Sequence, residues 1–391
     1  MNRLTRTLYD VLLYEAGSLM VDVQNMFRLS CELPEEKEIF EASICDVMVA
    51  SNLVLGNAFG RFPEEVSAVL QSQTRWEEGV NESLMTSVYE NTSYSLMLTL
   101  SGMKDLKFKY VLLFMSFSVY LLIILLNIML IVTILLDKSL HEPMYIFVCN
   151  LCFNEIYGTT GFYPKFIHDL FSSSNEISYS VCMTQSAIIY SSFMCEYTTL
   201  VLMAYDRYVA ICRPLEYHSI IKTNTVAKAL IYSWAFPFII GLPNIILTSQ
   251  MPLCGSTIDK LYCDNWSIVK LSCIPSTANN AYGFFAICVF MAHALVVLLS
   301  YQRLVVACRN SRDNKKKFIQ TCGPHLLSLL NFTTAVLFDL MFSRYGSKDF
   351  PESLRNFFQV EVFVIPPLLN PIMYGLKLSE VRRRLFKGIK N

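Results

Sequence analysis

The run Met203-Ala-Tyr-Asp206-Arg207-Tyr208-Val-Ala-Ile-Cys212 puts an acid and a base side by side at the end of a long apolar stretch. An ion pair there is expensive unless it sits where a bilayer meets water. Arginine cannot shed its charge, so neighbouring groups must hold it, and whatever displaces them can move it. That is the chemistry of a switch. Glu155 lies inside another apolar stretch, where a carboxylate is costly and usually functional. It could take up a cation or a proton, or serve as a permanently protonated structural acid; Asn127 and Asn370 could reach it through water. The segment Pro366-Pro367-Leu-Leu-Asn370-Pro371-Ile-Met-Tyr374 must bend a helix, because each proline removes a backbone donor, and Asn370 can satisfy the freed carbonyls. No catalytic set accompanies these groups. The five histidines, His141, His168, His218, His293 and His325, are scattered without metal spacing. Cys149 and Cys152 form a lone Cys-x-x-Cys in an apolar span, where packing is the simpler reading. The chain is therefore expected to be no enzyme, and to use no cofactor or metal.

The elements that must position these residues follow from composition. The 391 residues are 53% hydrophobic, only 16% charged and formally neutral, whereas soluble domains carry about 25% charged residues. A spanning helix needs about 20 largely uncharged residues. Tyr110 to Leu136 qualifies cleanly, and further candidates lie near 144–170, 183–206, 226–248, 280–305, 318–342 and 355–376. The second and sixth are interrupted by Glu155, Lys165, His168, His325 and Asp339. The expected fold is an all-α membrane protein: a bundle of seven transmembrane helices.

Lysine and arginine set its direction. Arg207, Arg213 and Lys222 follow the third span; Arg303, Arg309, Arg312 and Lys315 to Lys317 follow the fifth; Lys377, Arg382 to Arg384, Lys387 and Lys390 follow the seventh. The opposite loops mix Lys260, Lys270, Arg344 and Lys348 with Glu176, Asp259, Asp264, Asp349 and Glu352. The N-terminus is accordingly expected outside and the C-terminus inside, although Lys104, Lys107 and Lys109 pull the other way. Sequons at Asn81, Asn91 and Asn265 fall on the expected outer side and could carry glycans, while Asn331 falls within a span. Cys182, Cys254, Cys263 and Cys273 also face outward. Bonds from Cys182 to Cys263 and from Cys254 to Cys273 would tether and fold the second outer loop; free thiols are the alternative. Residues 1–87 are acidic and polar. They read as an unusual outer extension, poorly ordered with some helix, or as a wrongly joined exon. Residues 88–376 form the spanning domain, and 377–391 a basic tail.

These strings resemble the odorant (olfactory) receptors among the rhodopsin-like G-protein-coupled receptors. Leu140-His141-Glu142-Pro143-Met144-Tyr145 is similar to LHxPMY, and Met203 to Cys212 reproduces MAYDRYVAIC. Ser300-Tyr301 is similar to the SY pair ending the fifth helix. Lys317, Thr321-Cys322 and His325-Leu326 are similar to KAFSTCxSHL, and Pro367 to Tyr374 to PxLNPxIY. The resemblance covers about residues 88–391, and the extra cysteine pair suits this family. The chain departs from the pattern at Leu126-Asn127 for Gly-Asn, at Glu155 for aspartate, at Phe332-Thr333-Thr334 for FYG, and at Pro324 for the serine before His325.

The resemblance implies a small organic odorant bound among the outer halves of spans three, five, six and seven. By helical spacing the third span's inward stripe is Ile189, Tyr190, Phe193, Met194 and Tyr197. Phe285, Val289, Val336, Leu340, Val360 and Phe363 could complete the wall, or all of these could be ordinary packing. It also implies a heterotrimeric G protein of the stimulatory, olfactory type that raises cyclic AMP. Arg207 would exchange Asp206 for Tyr301, Tyr374 and the G-protein tail as Lys315 to Lys317 swing outward; Tyr208, Lys317, His325, Asn370 and Pro371 complete the switch. Leu376, Leu378, Val381, Leu385 and Phe386 alternate with basic residues, as in a short amphipathic helix on the inner leaflet, or a plain topology signal. The expected setting is the plasma membrane, with no nucleic-acid partner. Rival classes fare worse. No lysine lies between 355 and 376 for a retinal Schiff base, no internal repeat suggests a transporter, and no acid lies between 183 and 195 for a cationic amine.

Overall fold

A computed structural model describes residues 97–102, 109–172, 175–274, 277–307, 312–346 and 351–377. The 1–87 extension with Asn81, the stretch from 88 to 96 with Asn91, and the tail beyond Lys377 lie outside the described residues. Among the latter there are seven long helices: α1 (Lys109–Leu136), α2 (Pro143–Ser172), α3 (Tyr179–Cys212), α4 (Thr223–Ser249), α5 (Thr277–Ala307), α6 (Arg312–Tyr345) and α7 (Glu352–Lys377). Six contain a stretch long and apolar enough to cross a membrane. The exception is α2, whose Asn150, Asn154, Glu155, Lys165 and Asp169 dilute its apolar character.

Burial follows from the sequence pattern. On α1, Ser116, Ile123, Asn127, Leu130 and Ile134 form one inward stripe at helical spacing, while Phe114, Leu125 and Leu136 project outward. A helix apolar on its exposed face as well is one suited to lipid. At the centre, α3 packs on α2, α4, α5 and α6 and is buried over most of its length. Pro143 opens α2 at the first helical position, where its missing N–H costs no hydrogen bond.

One end of the bundle carries a three-stranded sheet in the order β2-β1-β3. Strand β1 (Met97–Leu100) pairs antiparallel with β2 (Glu176–Ser178), Leu98 opposite Ile177, and parallel with β3 (Thr257–Ile258), Thr99 opposite Thr257. Leu98 and Leu100 point inward and join Ile177, Met183, Ile258 and Ile268 in a small core around the Cys182–Cys263 disulfide. Beyond β1, Gly102 runs so close to the loop that a Cβ there would sit 2.8 Å from the Lys260 carbonyl carbon. Asn356 of α7 donates to the Gly102 carbonyl at 2.9 Å, so this short segment touches both loops and the last helix.

Both sequence-expected disulfides form. Cys182–Cys263 fastens the α4–α5 loop to the start of α3, with Cα atoms 5.3 Å apart, and Cys254–Cys273 closes the loop on itself. Closing a loop of that second size is worth about 3 kcal/mol in the chain-entropy account. Between them, Asp264 caps a short helix at Asn265–Val269, accepting from the backbone N–H groups of Trp266 at 2.8 Å and Ser267 at 3.3 Å.

Candidate functional site

At the end opposite the sheet, Asp206 is fully buried and Arg207 folds back upon it. Arg207 Nη2 and Nε donate to Asp206 Oδ2 at 2.6 and 3.0 Å, a charge-assisted pair. The other carboxylate oxygen accepts from the Tyr217 hydroxyl at 2.7 Å. Burial and the adjoining carboxylate push the Tyr217 phenol above its ordinary value, so it remains a donor. Tyr217 escaped the sequence reading, because a tyrosine in a polar loop carries no periodic signal. Tyr208 packs on the core edge. Tyr301 and Tyr374 are buried nearby, and the Tyr374 hydroxyl has no partner among the described residues. Lys317 and His325 lie on α6, with side chains outside the described set.

A polar layer crosses the middle of the bundle. Asn370 Nδ2 donates to Glu155 Oε1 at 2.5 Å, and Ser328 Oγ donates to Asn370 Oδ1 at 2.5 Å. The water-mediated link expected from Asn370 to Glu155 is thus direct. Asn127 does something else. Its amide donates to the carbonyls of Ile123 at 2.9 Å and Pro367 at 3.0 Å. Pro371 has no N–H to give the Pro367 carbonyl four residues back, so Asn127, rather than the expected Asn370, makes good that loss. A second buried carboxylate, Glu196 on α3, lies close to Glu155. It sits one residue beyond the stretch searched for an amine-binding acid, and was missed for that reason.

Nearer the sheet lies a cavity of about 1000 Å³, its open mouth included, bounded by α3, α4, α5, α6 and the α4–α5 loop. Tyr190, Phe193, Met194, Val336 and Leu340 line it, as do Phe238 and Ile240 of α4 and Phe290 of α5. The remaining sequence candidates lie elsewhere. Tyr197 sits deeper, its ring 4.1 Å from Phe290 and its hydroxyl hydrogen-bonded to Thr333 Oγ1, so the threonine standing for tyrosine at that position still holds α6 to α3. Ile189 is buried in the main core, while Val289 and Phe285 pack with Phe236 and Ile240. Phe363 stacks on Phe162 of α2 at 4.3 Å, and Val360 packs on the main core. The fourth helix thus takes the share of the wall expected from the seventh.

The cavity's sheet end is roofed by charge. Lys260, only 3% exposed, donates to both Asp339 oxygens at 2.7 and 2.9 Å and lies 3.0 Å from Asp264 Oδ2. The Tyr262 hydroxyl donates to Asp339 at 2.8 Å, and that of Tyr190 to Asp264 at 3.3 Å. Arg344 lies across α5 over the rings of Trp266 and Phe284, 4.0 and 4.8 Å from their centroids, and donates to Asn280 at 2.8 Å. Gly283 leaves it room, since a Cβ there would overlap the guanidinium. Asn265, read as a possible glycan acceptor, is 5% exposed and lines the cavity.

Burial alone would raise the Asp264 carboxyl, but the Lys260 ammonium and the hydroxyl and N–H of Ser267 bring it down to about 2. Burial would lower Lys260, yet Asp264 and Asp339 hold it above its ordinary value. A depressed carboxyl stabilises the fold above its unfolded value and loses that contribution as pH falls through the folded one. A raised ammonium contributes below its unfolded value and fails only as pH climbs past the folded one. The thermal midpoint of purified protein should therefore be flat from about pH 5 to 9 on this account and fall as pH drops from about 4 toward 2. Replacing Asp264 by Asn should flatten that acid limb, and an unaltered limb would contradict the assignment.

Comparison with known proteins points one way. Residues 116–391 match the olfactory receptor family. Olfactory receptor 52D1 of Homo sapiens is 31% identical over 274 residues, spanning 69% of this chain and 86% of the relative. Olfactory receptor 56A5 of Homo sapiens is 35% identical over 270 residues, 68% of this chain and 84% of the relative.

Proposed function

The chain belongs to the olfactory receptor family, and from that premise we propose that it is an odorant receptor crossing the plasma membrane seven times, sheet end outward. A small organic odorant binds in the cavity between α3, α4, α5 and α6, and a heterotrimeric G protein of the stimulatory, olfactory type binds at the Arg207 end. The observation that carries this reading is the vertical order of the parts: an apolar cavity, a polar layer at Glu155, Glu196 and Asn370, and a caged guanidinium beneath. An apolar cavity with few polar groups suits a volatile or amphiphilic ligand.

Activation is a shift between two arrangements of the bundle, biased by a ligand that prefers one. Phe193 and Phe290 line the cavity, and beneath them Tyr197 contacts Phe290 and is hydrogen-bonded to Thr333, so a ligand pressing on the floor bears on α6. Asn370, beside Pro371, links α6 and α7 to Glu155 of α2. Arg207 then leaves Asp206, which keeps Tyr217 as donor, and turns toward Tyr301, Tyr374 and the arriving G protein. Lys317 and His325 lie on the part of α6 that swings.

Screening an odorant panel for cyclic AMP in cells expressing the full chain, beside a form spanning 85–391, tests the reading. At least one compound should evoke a concentration-dependent rise in both, with an N-terminal epitope reachable on intact cells and a C-terminal one hidden. Silence across a broad panel in cells displaying the chain, or an exposed C-terminus, would overturn it.

A further inference from the structure

A ligand must have a way into the cavity, and most of its boundary is closed. Toward the sheet, Lys260 bridges Asp264 and Asp339, the Leu261 N–H donates to Gln359 Oε1 of α7 at 3.4 Å, and Cys182–Cys263 pins the loop to α3. Between α5 and α6, Arg344 reaches over Trp266 and Phe284 to Asn280. Between α4 and α5, the Tyr282 hydroxyl donates to the Ile240 carbonyl at 2.8 Å, Asn279 donates to Thr248 Oγ1 at 2.9 Å, and the Tyr232 hydroxyl lies 3.2 Å from His293 Nε2.

The seam between α3 and α4 differs. It is pinned at two levels, where the Tyr179 hydroxyl donates to the Thr248 carbonyl at 3.3 Å and Thr198 Oγ1 to the Ser233 carbonyl at 3.2 Å. Among the described residues no hydrogen bond crosses it in between. Over that interval the cavity is lined by Ala187 and Ser191 of α3 and by Gly241 of α4. A Cβ built on Gly241 meets nothing within 4 Å, so the cavity comes up to the backbone of α4. Its lining also passes around that helix. Ile240 faces α5, whereas Phe238 lies about 200° away at 3.6 residues per turn and is 39% exposed on the outer surface. Both line the cavity, with Gly241 and Ile245 at angles between them. A void sealed behind α4 could not touch both.

We infer that the α3–α4 seam is a lateral portal through which an uncharged, lipophilic odorant enters the cavity from the outer leaflet of the bilayer. The inference rests on the receptor reading above and adds to it the route and the ligand class able to use that route. Gly241 precedes the Ser249 end of α4 by about 12 Å of helix, which places the opening at the depth of hydrocarbon. Each methylene favours hydrocarbon over water by a factor of about four. An opening at that depth therefore meets an apolar compound at far higher concentration than a mouth in water would. A charged compound would have to shed its hydration to take the same path. Phe238 stands at the rim, and Ala187, Ser191 and Gly241 are small enough to leave the passage unfilled.

The test uses the full chain displayed on cells, with the most potent uncharged compound of the odorant panel and its homologues lengthened by one and two methylenes as probes. G-protein activation is followed in real time at concentrations where onset scales with dose. The onset rate constant per free aqueous concentration should rise about fourfold with each methylene, whereas entry from water would leave it nearly flat. Gly241→Leu and Ala187→Leu put branched side chains into the seam. Each should slow onset and washout by the same factor of about tenfold, because one passage serves both directions. Phe238→Ala should hasten both, and together with the homologue series it decides the matter even where a leucine variant fails to reach the surface. An onset rate flat in chain length, leucine variants that lose potency with onset unchanged, or a Phe238→Ala variant with unaltered kinetics would each overturn the inference. A chain that answers the panel with such kinetics loses this inference alone; one that answers nothing removes the receptor reading and the inference with it.

Discussion

Arg207→Ala is expected to abolish ligand-stimulated cyclic AMP while leaving the amount of chain at the cell surface close to that of the unmodified protein. The two halves of that expectation come from different contacts. Signalling is lost because Arg207 is the charged donor that Asp206 holds at that end of α3 among the described residues. Folding is spared because Asp206 retains the Tyr217 hydroxyl at 2.7 Å, so its burial is not left wholly uncompensated. Losing a single charged partner while another donor remains should cost about 1–3 kcal/mol. Surface labelling and cyclic AMP measured on the same cells separate the two. Unchanged signalling at equal surface amount would remove the guanidinium from the mechanism.

The second large effect lies at the other end. Lys260→Met should destabilise the fold by about 3–5 kcal/mol, because it strands the Asp264 and Asp339 carboxylates in a buried roof. Asp339→Asn alone should be milder, since Lys260 keeps Asp264. The pair Lys260→Met with Asp339→Asn should recover part of the loss, because it removes a charge from each side. Thermal unfolding in detergent measures all three, with additivity across the pair as the diagnostic. A Lys260→Met variant within about 1 kcal/mol of the unmodified chain would mean the roof is wetter than its burial indicates.

Much of this architecture is legible in the sequence because apolar runs of membrane length have few other uses. Tyr110 to Leu136 is uncharged, and its helix begins and ends within a residue of that run. The paired cysteines of the α4–α5 loop were legible for a similar reason, since few alternatives exist for four thiols on one side. The cavity was only half legible. Its α3 face follows a 3.6-residue period, so Tyr190, Phe193 and Met194 were found. The α4 face, with Pro237, Gly241 and Pro243 in an apolar run broken by Asn244, has too little polar contrast to mark which way it turns. The roof was the least legible part. Lys260 and Asp339 looked like a loop charge and a flawed span, and their pairing depends on a loop that folds back over the bundle and is pinned to α3 at Cys263. Asn127 was recognised as important but given the wrong partner, because which carbonyl a proline orphans depends on helix register across the bundle.

Strand β1 has a consequence for biogenesis. It is the middle strand, yet both of its mates are encoded downstream: β2 follows α2, and the Ser101 hydroxyl meets the Ile258 carbonyl across 157 residues of chain. During synthesis one hydrogen-bonding edge of the segment around Leu98 stays bare until β2 follows α2, and the other until the fourth helix and its following loop have emerged. Unpaired edges of that kind recruit strangers, and contacts so distant form late. Completion of this sheet therefore reports that more than half the polypeptide has been laid down correctly, which makes Leu98 and its neighbours a natural place for a quality-control chaperone to hold immature copies back.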